Sequence, residues 1–265
     1  MIEPNSKGHL LLIDGLNVVR RVYEANPSED SDGKALGAVR ASLSTFRRIL
    51  DENSPSHVLA PFDFGGPTWR HALYQPYRQD RKPMPIFLRN ALPLLFEKLK
   101  ALGVTTIQIV GVEADDVLAA AFLRWNVHER GPATIISTDK DIAALVSQGA
   151  RVRDPFQNIW HDEAWSLKKF GVGTAQIQDL LALAGDSTDG IPGVKGVANK
   201  TAARLLNTYG SLQAVLDQAA TVPGKVGENL RSSVELIHLA RQLVSFKTDI
   251  SLGLTWNALR YVKAS

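Results

Sequence analysis

Four short apolar runs in the first half of the chain each give way to acid. Residues 9–13 run into Asp14, residues 57–62 into Asp63, residues 105–112 into Glu113, Asp115 and Asp116, and residues 133–138 into Asp139 and Asp141. Runs this short, rich in Val, Ile and Leu, predict buried parallel strands. Between them, residues 34–52 place Leu36, Val39, Leu43, Phe46 and Leu50 at helical spacing. Further helices are expected over 93–102, 117–125 and 141–148. The alternation predicts a three-layer α/β domain with a mostly parallel sheet and right-handed crossovers. The ligand crevice of such a sheet lies outside the carboxyl ends of its strands, so the acids gather at one edge.

The pattern changes twice. Residues 70–89 are basic, aromatic and broken by Pro76, Pro83 and Pro85, which forbid one long helix. They predict a protruding loop or short helical arch, at about 70–90, over the acidic edge. Beyond residue 164 the periodicity is helical to the end, with glycine-rich hairpins at 185–196 and around Pro223-Gly224. The expected division is an α/β domain over 1–162 and an all-helical domain over 163–265.

Charge sharpens this picture. The chain has 265 residues, 45% of them hydrophobic, and 30 Lys plus Arg against 27 Asp plus Glu, for a formal charge of +3. With nine carboxylates drawn to one cleft, the remaining surface is more basic than the net value suggests, which suits phosphate binding. A basic protein without a nucleic-acid role has the same composition. There is no cysteine, which excludes disulfides and thiolate metal sites and fits the cytoplasm. The apolar run before Asp14 is too short for a signal peptide. No segment approaches the roughly 18 apolar residues that a membrane span requires.

Each motif has a structural alternative. Asp14 alone suits a helix cap, and Asp139-Lys140-Asp141 suits a solvated turn. Glu113, Asp115 and Asp116 repel one another at a helix start, so they call for a cation. Carboxylate oxygens without Cys or His partners favour Mg²⁺ or Mn²⁺, and two such ions about 4 Å apart can drive phosphodiester hydrolysis. Asp186 and Asp189 lie in the loop Gly185–Gly190. The following Ile191-Pro192-Gly193-Val194-Lys195-Gly196-Val197 leads into Ala198, Asn199, Lys200 and Thr201 and reads as a helix-hairpin-helix. There, glycines and a helix N-terminus present backbone N–H groups to a phosphate; a plain interhelical loop is the alternative. Arg70, Arg78, Arg81 and Lys82 could position a phosphate, and Trp69, Tyr74 or Tyr77 could stack on an unpaired base. The six histidines show no ligand spacing.

Together these residues resemble the bacterial 5′-nuclease family, which includes the nuclease domain of DNA polymerase I and phage and eukaryotic flap endonucleases. The likeness spans almost the whole chain. It is carried by Leu12-Ile13-Asp14-Gly15, Phe62-Asp63, Arg70 with Tyr77-Arg78 and Arg81, Gly111 to Asp116, Ser137 to Asp141, and Gly185 to Gly193. Arg153, Asp154, Phe156 and Gln157 are most similar to small stand-alone members. The resemblance implies a PIN-like α/β fold with a C-terminal helix-hairpin-helix. It implies a first metal group of Asp14, Asp63, Glu113, Asp115 and Asp116, and a second of Asp139, Asp141, Asp186 and Asp189. Arg78 and Arg81 would assist electrostatically, and Tyr77 and Arg81 would lie on the arch. The hairpin would hold duplex DNA, with a K⁺ ion bridged by the carbonyls of Leu183, Ala184, Pro192, Val194 and Val197.

Two departures from the family pattern stand out. Arg78 replaces the usual Lys, keeping the charge but not the ability to shed a proton. Gly196-Val197-Ala198 replaces Gly-x-Gly, adding a methyl where backbone approaches phosphate. Asp186 and Asp189, lost in many small members, are retained. The activity implied is a Mg²⁺-dependent 5′-nuclease, acting as a monomer on DNA with a 5′ flap or nick. A ribonuclease of similar sheet, or a protein that grips branched DNA without cutting it, are the alternatives.

Overall fold

The computed structural model describes residues 8–263. The chain begins with β1 (Leu10–Ile13), α1 (Gly15–Glu24), α2 (Asp32–Asn53) and β2 (His57–Pro61). It continues through α3 (Trp69–Leu73), α4 (Ile86–Ala101), β3 (Thr105–Ile107), α5 (Ala114–Val127) and β4 (Ala133–Ile136). A 3₁₀ segment (Asp141–Gln148), β5 (Arg151–Asp154) and β6 (Ile159–Trp160) complete the α/β unit. The strands form one sheet in the order β3-β2-β1-β4-β5-β6, parallel except for the β5–β6 pair. The apolar runs are continuous because both faces are covered. Leu11 and Ile13 of β1 join the core under α2 and α4, whereas Leu10 and Leu12 join the core under α5. Side-chain alternation along one strand thus fills two layers.

Several elements depart from the sequence reading. Three strands are shorter than expected at their carboxyl ends, and β5–β6 was not foreseen, being short and partly charged. Helix α1 is not among the helices expected from the pattern: Val18, Val19 and Val22 are weak helix formers, but burial of Leu16, Val18, Val19 and Tyr23 secures it. Helix α4 starts at Ile86 rather than at Pro93, which lies inside it. The loss of one backbone bond at Pro93 is outweighed by burial of Leu88, Ala91, Leu92, Leu95 and Leu99. The 141–148 helix is 3₁₀.

The helical unit comprises α6 (Glu163–Phe170), α7 (Ile177–Ala184), α8 (Asn199–Tyr209), α9 (Leu212–Asp217), α10 (Gly224–Ser232) and α11 (Val234–Val244). It does not run helical to the end. Residues 246–255 are irregular and lead to a 3₁₀ turn at Trp256–Leu259. This segment returns to the sheet: Tyr261 N donates to Ser56 O (2.9 Å), and Thr105 Oγ1 to Ala258 O (2.9 Å). Ile250, Leu252 and Leu259 join the core beneath α5. Conversely, Tyr77, Ala143 and Ala144 of the first unit belong to the helical core. Among the described residues no helix is long and apolar enough to cross a membrane.

Gly15 ties the first two strand ends together. A methyl group at this position would overlap the Phe62 ring, and Gly15 and Phe62 adjoin Asp14 and Asp63 in the chain. Gly15→Ala is therefore expected to cost about 1–3 kcal/mol through overpacking and to separate the two flanking acids. Thermal melts and metal-dependent turnover check this; an unchanged variant would show that the contact is not needed.

Candidate active site

The strand order reverses between β1 and β4, and ligands of open α/β sheets bind at such a point. Asp14 leaves β1 and caps α1: Oδ1 accepts from Asn17 N (3.2 Å), while Oδ2 accepts from Ser137 Oγ beyond β4 (2.8 Å). Cap and cleft acid are therefore one residue. Ser137 Oγ also accepts from Asp139 N (3.0 Å), which fixes the turn carrying Asp139. Asp63 Oδ1 accepts from Ala114 N (2.8 Å) at the start of α5, where the helix dipole favours an anion. Asp115 follows on the first turn of that helix.

Asp14, Asp63, Asp115 and Asp139 line one cavity of about 270 Å³, together with Asn17, Arg20, Arg21, Arg78 and Arg81. The acids ring the space; among the described residues no three close into a finished metal shell. Burial pushes the Asp14 carboxyl up to about 7, with repulsion from Asp63 and Asp139 adding to it against the Ser137 hydrogen bond. Burial, then Asp139, Asp14 and Asp63, raises Asp115 well above the usual carboxylate range. An all-oxygen group that resists its own ionisation fits a hard divalent cation.

Glu113 and Asp116, expected in this first group, are engaged elsewhere. Asp116 is fully buried. It accepts from Trp69 Nε1 (2.8 Å), both terminal nitrogens of Arg70 (2.9 and 3.0 Å) and Lys247 N (2.9 Å). Glu113 accepts from Thr68 Oγ1 (2.9 Å) and Tyr77 OH (3.1 Å) and pairs with Arg78 (2.9 Å) and Arg70 (3.3 Å). Spacing put these acids at a helix start, but not which guanidinium would meet them.

The arch is corrected in the same way. Arg70 and Tyr77, expected to face DNA, are buried. Arg70 Nε and a terminal nitrogen donate to the carbonyls of Leu243 (2.8 Å) and Ser245 (2.9 Å), binding α3 to the helical unit. Trp69 spends its indole N–H on Asp116, and Tyr74 packs on the helical core. Arg78 holds a left-handed backbone (φ 54°), a strained state for a non-glycine residue. Its N–H donates to Asp189 O (2.9 Å) and its guanidinium bridges Glu113 and Asp189 (2.9 and 2.8 Å). Arg78 Nε is buried without a partner among the described residues. Arg81 and Lys82 remain exposed.

The expected second group also regroups. Asp139 faces the first cavity, and Lys140 Nζ lies 2.6 Å from Asp186 and 3.7 Å from Asp141. Despite its burial, Asp189 is held below the usual carboxylate range by Arg78. Burial pushes Asp141 up to about 8, with Asp139 adding to it and Lys140 opposing, and Asp141 Oδ1 has no hydrogen bond among the described residues. The hairpin between α7 and α8 folds on a backbone contact at Gly193, where a methyl would overlap Ala184. Lys195, Gly196, Ala198, Asn199 and Lys200 are exposed, Thr201 is half-buried and Val197 is buried. The carbonyls of Leu183 and Val194 already accept backbone N–H groups (2.8 and 2.9 Å), leaving one lone pair each. Those of Ala184 and Pro192 lie in the same turn.

Asn17, Arg20 and Arg21 in the cavity wall were missed, although their spacing after Asp14 is that of one helical face. Ser137 and Thr68, which orient the acids, carried no signal of their own.

The 5′-3′ exonuclease N-terminal resolvase-like domain matches residues 9–171, and the C-terminal SAM fold of the same enzymes matches residues 172–265. Flap endonuclease Xni of Colwellia psychrerythraea is 35% identical, covering 97% of this chain and 93% of its own. The protein of that name from Tolumonas auensis is 37% identical over 96% of this chain and 98% of its own. Among solved structures, T5 5′-exonuclease with bound zinc shares the fold, with a TM-score of 0.75 and 24% identity over 89% of each chain. With both domain types matched in order, and near-full-length relatives above 30% identity, the chain belongs to the 5′-3′ exonuclease family.

Proposed function

We propose that this protein is a divalent-metal-dependent, structure-specific 5′-nuclease that hydrolyses DNA beside a junction between a 5′ single strand and a duplex. The observation that carries the reading is the ring of Asp14, Asp63, Asp115 and Asp139 around one cavity rimmed by arginines. These four residues would hold Mg²⁺ or Mn²⁺, which supplies a Lewis acid that acidifies water and offsets phosphate charge. Asp141, Asp186 and Asp189 would complete a second ion site, in competition with Lys140 and Arg78 already among them.

The protein's own groups divide the remaining work. Arg78, fixed by Glu113 and Asp189, lines the acidic cavity and would lend its charge to a phosphate held there. Exposed Arg81, with Lys82 beside it, reaches the rim without a competing ion pair among the described residues. Water adds to phosphorus and the bond to the 3′-oxygen breaks, leaving a 3′-hydroxyl and a 5′-phosphate. The segment from α7 to α8 would serve as a helix-hairpin-helix that grips the duplex with Lys195 and Lys200 and the N–H groups opening α8. A K⁺ ion on the hairpin carbonyls is the finer part of this reading.

A labelled 5′-flap duplex is expected to be cut in Mg²⁺ and not in EDTA. Preference for single-stranded RNA would overturn the substrate assignment. Tight flap binding without turnover in either Mg²⁺ or Mn²⁺ would support a non-cleaving DNA-binding protein instead.

A further inference from the structure

The sequence offered Trp69, Tyr74 and Tyr77 as platforms for an unpaired base, and the structure engages all three elsewhere. The aromatic left free beside the cleft is Phe64. It directly follows Asp63, the residue is 53% exposed, and among the described residues it has no aromatic or cationic partner. Gly65, next in the loop, has a left-handed backbone (φ +87°) and open space where a methyl would stand.

Phe64 lines a second cavity of about 540 Å³ that shares Arg20, Asp63, Arg78 and Arg81 with the acidic one. Leu16, Met84, Leu92 and Phe96 give the cavity further apolar lining, and Lys82 and Arg89 add cationic groups. A flat apolar body with an anionic tether is what such a chamber complements, and that is the chemistry of one unpaired nucleotide. Asp63 lines both cavities, so a base seated on Phe64 lies next to the acidic one. We propose that Phe64 is a stacking platform for a single unpaired nucleobase next to the scissile phosphate, with Arg20 and Arg81 on the flanking phosphates. This rests on the nuclease reading and adds a positioning residue to it.

The test places 2-aminopurine at each position around the junction of a 5′-flap duplex and follows its fluorescence with the full-length protein in EDTA. One position is expected to be quenched by the wild type and by Phe64→Tyr, and not by Phe64→Leu, which keeps the bulk but cannot stack. Single-turnover cleavage in Mg²⁺ should fall about tenfold in Phe64→Leu and return in Phe64→Tyr, with unchanged melting temperatures because the ring is exposed. Wild-type quenching and rate in Phe64→Leu would overturn the platform while leaving the nuclease intact. A wild type that neither binds nor cuts the flap would overturn both.

Discussion

Asp115→Asn is expected to lose metal-dependent cleavage by at least about 10³-fold and yet to melt higher than the wild type at about pH 8 in EDTA. The two effects share one cause. Asp115 lies among Asp14, Asp63 and Asp139, and burial with their repulsion raises its protonation range. Asp14 shares the penalty and is pushed to about 7 from an ordinary value of 3.8. Between those values the folded chain binds more protons than the unfolded one, so stability falls as pH rises. Above about 7 the Asp14 penalty is present in full. Removing one charge relieves it, and so does a divalent cation. Melting curves from about pH 5 to 8, in EDTA and in Mg²⁺, should show the wild type losing stability with pH only in EDTA. Asp115→Asn should show a shallower slope and a smaller gain from Mg²⁺. A wild-type melting temperature that rises through this window, or cleavage by the variant at the wild-type rate, would refute the assignment.

Arg70→Met is expected to be among the most destabilising single changes in the protein. It would strip a buried guanidinium from a buried carboxylate, leaving Asp116 with its charge and too few donors. Breaking such a pair from one side costs about 3–5 kcal/mol, or about 10 °C in melting temperature at this size. The bonds from Arg70 to the carbonyls of Leu243 and Ser245 go with it. Adding Asp116→Asn should recover part of the loss, because it removes the stranded charge, although its single oxygen can keep only one of the bonds from Trp69 Nε1 and Lys247 N, which meet different carboxylate oxygens. A DNA-facing arginine would instead give a weaker binder of normal stability. Thermal denaturation beside flap binding separates the two outcomes.

The strand ends were legible because apolar runs and acids are local signals, and in a parallel sheet they fall at one edge. The grouping of the acids was not. Glu113 and Asp115 lie two residues apart on the same turn, yet Glu113 meets Arg70 and Arg78 while Asp115 faces the cavity. That choice is made by cations about 40 residues away along the chain. The basic segment misled for the same reason: its charges and aromatics suit DNA contact, but its prolines fold it down so that Arg70 and Tyr77 complete a buried network. Helix α1 and the β5–β6 pair were hidden because each is short and held by packing rather than by propensity. Lys140 was read as part of a turn, and only the approach of the α7–α8 hairpin shows that it stands between Asp141 and Asp186.

The segment that returns from α11 to the sheet has a mechanical consequence. The helical unit leaves the sheet after β6 and is fastened again where Tyr261 and Ala258 meet Ser56 and Thr105, with Arg70 tying α11 to α3 between them. A body tied at both ends cannot swing like a pendant. If the hairpin grips the duplex as proposed, the span from hairpin to carboxylate ring would be a fixed gauge, measuring along the duplex how far from its grip the backbone is severed.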